Sequence, residues 1–471
     1  MGIIAKIKGW IGMLFKSKAK DIFQIEAITS EDMDRVIDKC IRIYRGNPEW
    51  LDSEENIKTI KFAKTICKEI AKLTMLATKI TVDGSVRADW LQEQVDNVYF
   101  KLREWAEYGG AYGTVILKPN GESVDLIVPG EFMVTEQKDG QIVGIVFINR
   151  ETDERQKKFY TRFEYHRFLD NGDYAISNKC YVGSSKDDYS KSIDISETPW
   201  SGLLEEVTIG KIDKPLFGAF KTPDANDVDI ESPLGLPAFY DAIEELEDLD
   251  VAYSRFVEEN YDSRRITLLD SDKLIPSGGK VQNTTGAFER SRKDMKLPRY
   301  VRNVYGNGTD DFYQEINPSL QTETRIKGIN TLLSQIGFKV GFSNGYFVFD
   351  EKTGMVTATQ VESDDRRTIQ TIKDYRDKLE SCMDGLIYAL NVFADLYDLA
   401  PLGVYETVYD FGDITYNREE DRQRWWGYVV AGKVPAWKYF VKFEGMSEDE
   451  AKEMIAEATP KTSDLFGGGE E

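Results

Sequence analysis

The sequence is short of the residues on which much enzymatic chemistry depends. Its 471 residues include one histidine, His166. A histidine-rich metal centre is therefore excluded, and a Ser-His-Asp triad could be built only around that one imidazole. Four cysteines, Cys40, Cys67, Cys180 and Cys382, lie far apart with no Cys-x-x-Cys pair. That spacing argues against structural zinc and a disulfide framework, and fits a reducing compartment. No run of about 18 apolar residues is present, so no transmembrane helix is expected. Basic residues are also scarce: 60 Lys and Arg face 82 Asp and Glu, a net charge of −22. Such a chain cannot grip duplex DNA over its whole surface by counterion release. It could carry local basic patches, or surround DNA without gripping it.

What is present describes an ordered globular protein. The apolar fraction is 41% and the aromatic fraction 12%, and at roughly 150 residues per domain the length suggests about three folding units. Ile3, Ile4, Ile7, Trp10, Ile11, Leu14 and Phe15 fall at helical spacing, with lysines among and after them. This is a basic amphipathic helix suited to a membrane surface, or to docking on its own protein or a neighbouring subunit. It lacks a signal-peptide cleavage site, and Lys6 breaks the myristoylation pattern.

Helical periodicity runs over Glu31–Tyr44, Ser53–Met75 with Ser53 as N-cap, and Asp89–Tyr108. The period then becomes that of strands: Thr114–Lys118, Ser123–Val128, Phe132–Gln137, Ile142–Asn149, Lys158–Phe168, Asp173–Ser177 and Glu206–Lys211, with Asn-Gly, Pro-Gly and Asp-Gly turns between the first four. The expected fold class is α+β. From Thr222 to Asp262 thirteen acidic residues meet one basic residue, Arg255. Pro237 opens a helix there, on which Asp241, Glu244, Glu245, Glu247, Asp248 and Asp250 form a nearly continuous acidic run. A solvated face explains the run better than a metal site, whose ligands usually converge from separate elements. The sign then reverses. Lys280, Arg290, Arg292, Lys293, Lys296, Arg299 and Arg302 face only Glu289 and Asp294. That Gly- and Pro-rich excursion returns through a helix over Leu320–Ile336. A hairpin or loop at Gly341–Thr357 leads into a helix from about Thr359 to Leu399, roughly 60 Å long at 1.5 Å per residue. Short helices follow over Asn417–Thr459, broken at Gly432 and Gly445, and Lys461–Glu471 reads as disordered.

Three catalytic look-alikes fail on context. Asp410-Phe411-Gly412 lacks the His-Arg-Asp loop of a kinase. In Pro276-Ser277-Gly278-Gly279-Lys280 the glycine spacing is wrong, and Val281 stands where a phosphate loop needs Ser or Thr. Gly109-Gly110-Ala111-Tyr112-Gly113 lies between a helix and a strand, the reverse of a dinucleotide fold, and reads as a close-packing turn. No catalytic residue, metal or cofactor is assigned, and an enzyme is not expected.

The stretch SPLGLPAFYDAIEEL from Ser232, the basic excursion, and FVFDEKTGMVTATQVES from Phe347 resemble, in that order, the portal proteins of tailed bacteriophages, most closely the siphovirus and prophage group of Gram-positive hosts. The resemblance runs through nearly the whole chain, and TATQVE from Thr357 is its most specific part. Gln360 stands where the family usually has Glu. The resemblance implies a ring, typically a dodecamer, at one capsid vertex of the virion, assembled in the host cytoplasm. It implies a wing over residues 1–231, stem helices over 232–265 and 320–340, and a clip over 266–319. A tunnel loop would lie within 341–356, a long helix and wing return over 357–416, and a crown with its tail over 417–471. Double-stranded DNA would pass through the channel past Asp350, Glu351, Lys352, Thr353, Gly354 and Met355. The clip cations would dock partners, namely terminase large subunit and head–tail adaptor, with capsid and scaffold proteins around the ring. No small-molecule substrate is implied. Competing readings are a peripheral membrane or assembly scaffold built on the N-terminal helix, and a metal-dependent nuclease using scattered carboxylates.

Overall fold

The computed structural model describes residues 15–52, 57–121, 123–155, 157–210, 212–262, 266–270, 301–304, 313–316, 321–348, 358–412, 418–444 and 446–458. Helices and antiparallel strands are both present in quantity, so the chain is α+β. It divides into two units, one of Met1–Met75 and Lys79–Tyr409, the other of Leu76–Thr78 and Asp410–Glu471.

The first unit is built on a sheet of order β4-β5-β6-β7-β8, with β9 also on β7: β4 Phe132–Lys138, β5 Gln141–Asp153, β6 Lys158–Phe168, β7 Tyr174–Gly183, β8 Lys191–Ile193 and β9 Glu206–Ile209. Strand alternation sends successive side chains to opposite faces, and here both faces are covered. Phe132, Val134, Ile145 and Phe147 join Met33 and Ile37 of helix α2 (Glu31–Arg45) in one core. Met133, Val146, Ile148 and Phe163 join Phe15 and Ala19 of helix α1 (15–23) in another. The sequence of α2 sets its own ends. The Ser30 hydroxyl accepts the Met33 N–H at 3.2 Å, and Gly46 closes the helix in the left-handed conformation.

A smaller antiparallel sheet, β10-β2-β3, comprises β2 Thr114–Pro119, β3 Val124–Ile127 and β10 Gly218–Lys221. Against these strands pack helix α4 (Val86–Tyr112) and the 39-residue helix α7 (Ala358–Leu396), and helix α3 (Phe62–Thr74) packs on both of those helices. The fit between α7 and β10 is close: a Cβ on Gly218 would stand 2.1 Å from the Cys382 carbonyl oxygen. The Gly109–Gly113 run ends α4 as a packing turn. Gly113 has φ +78°, and a side chain there would strike the Gly235 carbonyl. Leu234 and Leu236, from the SPLGLP stretch, are buried beside it.

Between α5 (Ile243–Asp262) and α6 (Thr322–Lys339) lies a three-stranded sheet of order β12-β11-β13: β11 Ile266–Asp270, β12 Val301–Val304, β13 Tyr313–Ile316. β12 runs parallel and β13 antiparallel to β11. The second unit holds α8 (Arg418–Val430), α9 (Ala436–Glu444) and α10 (Glu448–Ala458). Arg422 donates to the Tyr439 hydroxyl and pairs with Glu444, and the Ser447 hydroxyl caps α10 while the Glu450 carboxylate takes the Ser447 N–H.

Three elements differ from the periodicity. The helix expected over Ser53–Met75 begins only at Phe62, and Ser53 lies outside the described residues. Residues 57–61 are not helical: the Lys58 and Ile60 N–H groups donate to Ser254 and Asp250 of α5, and Lys61 is left-handed at φ +55°. The strand expected over Asp173–Ser177 continues to Gly183 along β6. A two-stranded sheet of β1 (Lys79–Asp83) and β14 (Glu406–Asp410) joins segments more than 300 residues apart.

Candidate DNA channel and docking surface

The acidic run is carried by α5 and the short 3-10 turn Tyr240–Ala242 before it. At 100° per residue, Glu244, Glu247, Asp248, Arg255 and Glu258 fall on one arc of the helix, and all five are exposed, as is Asp241. One cation among five carboxylates leaves that stripe strongly negative. Glu245 turns aside toward α6, where its carboxylate pairs with Lys339 at 2.6 Å; the same ammonium donates to the Asp241 carbonyl at 2.9 Å. Glu259, near the other end of α5, pairs with Arg325 and accepts the Gln321 N–H at 2.7 Å. α5 and α6 therefore run antiparallel, pinned near both ends.

Asp250 leaves the acidic face. It points about 60° beyond Glu247, off the edge of that arc, and is buried, accepting the Trp50 indole N–H at 3.0 Å and the Ile60 N–H at 3.0 Å. Burial raises its carboxyl above the usual range, against those two donors. Ser254, one turn on, accepts the Lys58 N–H at 2.8 Å. This residue of the acidic run is thus a clamp for the 57–61 strap, not part of a solvated wall.

Of the candidate tunnel loop, Gly341–Val348 is described, and it is bound down. Gly341 ends α6 at φ +82°. Phe342 is fully buried, Ser343 and Thr368 of α7 exchange hydrogen bonds, and Thr371 donates to the Gly341 carbonyl at 2.8 Å. The Tyr346 hydroxyl donates to Glu69 of α3 at 3.0 Å, and Phe347 meets Phe62 edge-on at 5.2 Å. The first eight residues of the expected loop are therefore an anchor, which the turn signal at Asn344-Gly345 did not reveal. Asp350, Glu351, Lys352, Thr353, Gly354 and Met355 lie outside the described residues, as do Arg290, Arg292, Lys293, Lys296 and Arg299. Arg302 lies in β12, opposite Leu268 of β11.

Two charged groups that the motif search passed over are conspicuous in the fold. Beside the anchor, Arg367 stacks on Phe338 at 3.9 Å and donates to that residue's carbonyl at 2.7 Å, a fixed and exposed cation. Inside the large sheet is a closed network around Glu164. Lys118 donates to Oε2 at 2.5 Å, Asn149 at 3.0 Å, and Arg162 lies 3.1 Å away. His166 Nε2 sits 2.8 Å from Oε1 and Nδ1 3.0 Å from the Tyr174 hydroxyl. Since an ionised carboxylate only accepts, Nε2 carries the proton and Nδ1 accepts from Tyr174. Burial pushes Glu164 up, yet Lys118, Arg162 and His166 outweigh it and hold the carboxyl well below its ordinary range. Burial lowers the His166 pKa, against the pull of Glu164. Both imidazole nitrogens are occupied, and the ring is buried. The alternating Arg162, Glu164 and His166 on one face of β6 are the sequence signal for this network.

At the N-terminus, Phe15 and Ala19 of α1 are fully buried against the sheet, so this part of the basic helix docks on its own chain. Among the described residues no helix is long and apolar enough to cross a membrane.

No family model matches the chain. No curated protein matches it. Among solved structures it is similar to a chain of the neck of an empty GTA particle, computed with C6 symmetry. The two share 13% identity at a TM-score of 0.40, over 87% of this chain and 93% of that one.

Proposed function

We propose that this chain is the repeating subunit of a phage portal, a ring at the capsid vertex of a virion that serves as the head–tail connector. Double-stranded DNA would be packaged and ejected through its channel. The observation that carries the reading is the order of parts along one chain. An α+β region precedes an antiparallel helix pair that brackets a small sheet, and an anchored loop then leads into the long helix α7. The sequence resemblance to portal proteins follows the same order. The exposed carboxylates of α5 suit the task, because a negative wall repels phosphates and lets DNA slide, whereas a basic wall would hold it by counterion release. In this reading the subunit catalyses nothing and binds no cofactor. A terminase large subunit supplies the energy for packaging, and a head–tail adaptor continues the channel. The clip cations Arg290 to Arg302 dock partners, and capsid and scaffold proteins surround the ring, typically a dodecamer.

Negative-stain imaging of the purified chain is the direct test, with closed rings around an axial hole expected. A monomer that binds vesicles and releases them on removal of residues 1–20 would replace this reading with a membrane scaffold. Magnesium-dependent cleavage of DNA, lost on a single carboxylate substitution, would replace it with a nuclease.

A further inference from the structure

Where α7 ends, the chain exposes an apolar surface. Leu396, the last residue of the helix, and Tyr397 and Leu399 just after it are exposed. Leu402 is 86% exposed, Val404 79%, and Val86 at the start of α4 64%. The two segments are joined side by side. Ser85 donates to the Val404 carbonyl at 2.8 Å, and Arg87 reaches under the turn to the Pro401 carbonyl at 2.9 Å and the Ala400 carbonyl at 2.7 Å. Arg87 also binds the Asn391 carbonyl and Asp395, and is itself 1% exposed. The surface is therefore preorganised, and a partner loses little by ordering it.

We propose that this surface, from Val86 to the Leu399–Val404 turn, is a contact between neighbouring copies of the chain in the ring. The proposal rests on the portal reading and names the face that closes the assembly. Charge points to a second copy as the occupant. Two chains of net charge −22 repel, so a contact between them costs least on a face without charge. Leu399 to Tyr405 carries no charged residue in a chain that is 30% charged. Asp398 and Glu406 flank that stretch, as polar residues rim an apolar interface core. Area agrees: six such side chains expose on the order of 600 Å², a large share of the ~800 Å² that each partner in a stable interface covers. A ring interface is heterologous, so the surface meets a different patch on the next subunit.

The test uses the full-length protein, with mass photometry and negative-stain imaging at micromolar concentration. The double variant Leu402→Asp with Val404→Asp should lose rings at least tenfold in favour of monomer, with unchanged thermal melting. Val86→Asp, in the other segment, should do the same. Ile230→Asp, at an 88% exposed position elsewhere, should leave rings intact. Rings that survive both surface variants would overturn the proposal, as would equal loss in the Ile230 control. So would intact rings that merely fail to join a tail, because the surface would then belong to another partner. A wild-type chain that forms no ring sinks the portal reading itself, an outcome distinct from all of these.

Discussion

Replacing Glu164 with Gln tests the buried network of the large sheet. The substitution is nearly isosteric, and a Gln carbonyl can still accept from His166 Nε2 or Asn149. It removes the carboxylate that pairs with the Lys118 ammonium and the Arg162 guanidinium, both buried. Leaving a buried charge uncompensated costs about 3–5 kcal/mol, and the retained hydrogen bonds favour the lower end. At 1.4 kcal/mol per decade, about 3 kcal/mol corresponds to roughly 100-fold faster amide exchange wherever this network limits opening. Native-state hydrogen exchange of β5–β7 peptides at pH 7.5, referred to peptides of α7, measures it. Adding Lys118→Met should recover much of the protection, since the stranded ammonium goes with the charge it lacked. A rise below tenfold for Glu164→Gln would refute the argument. The same network should make the sheet acid-labile in two steps. The folded His166 pKa is lowered, so stability drains as pH falls through about 6.5, where the unfolded imidazole takes up its proton. The folded Glu164 pKa is lowered too, so a second loss begins near pH 4.3, the unfolded value. Exchange measured between pH 7.5 and 5 should show the first step in the wild type and not in His166→Gln.

Three further outcomes are expected. Arg87→Lys keeps the charge but loses the planar fork that reaches Pro401, Ala400, Asn391 and Asp395; thermal unfolding should show a loss of about 2–4 kcal/mol. Asp250→Asn keeps one acceptor oxygen and strands either the Trp50 or the Ile60 N–H, costing about 1 kcal/mol, whereas Asp250→Ala strands both and should cost about 2 kcal/mol or more, read as faster exchange confined to residues 57–61. In the portal reading, deleting Glu351–Gly354 should leave rings intact but impair DNA filling of capsids; normal filling would move the DNA contact elsewhere.

The parts of the fold legible in the sequence are those written locally. β6 emerges with the bounds its alternation gives, Lys158–Phe168, and the acidic helix and the long helix end within a few residues of their periodic limits. What escaped depends on distant partners. Ile57 to Lys61 continues a helical stripe, yet two side chains of α5 take its amides and keep it out of the helix. β1 and β14 are five-residue strands whose pairing spans most of the chain, so neither segment suffices to predict it. Asp250 looks like any other acid in its run, and only the meeting with Trp50 turns it inward. Two buried groups left traces that could have been read. Arg87 occupies an apolar-stripe position with Leu91, Val95 and Val98, and Arg162, Glu164 and His166 alternate with opposite signs on one strand face.

The pinning of α5 to α6 near both ends has a mechanical consequence. To slide along its partner by one helical turn, about 5.4 Å, either helix must part Glu245 from Lys339 and Glu259 from Arg325 together, and displace its buried side chains, Leu246 and Leu249 on α5 or Leu333 and Ile336 on α6. The two ion pairs are partly exposed and each contributes about 1 kcal/mol or less, so the buried apolar side chains carry most of the resistance. Axial load is therefore shared along the whole length of the pair, as in a shear joint. A transverse load is met differently, because it can tilt both helices as one body without parting either ion pair. The pair is a strut, stiff along its axis and held near its base by the 57–61 strap on α5 and by the anchored segment that follows α6.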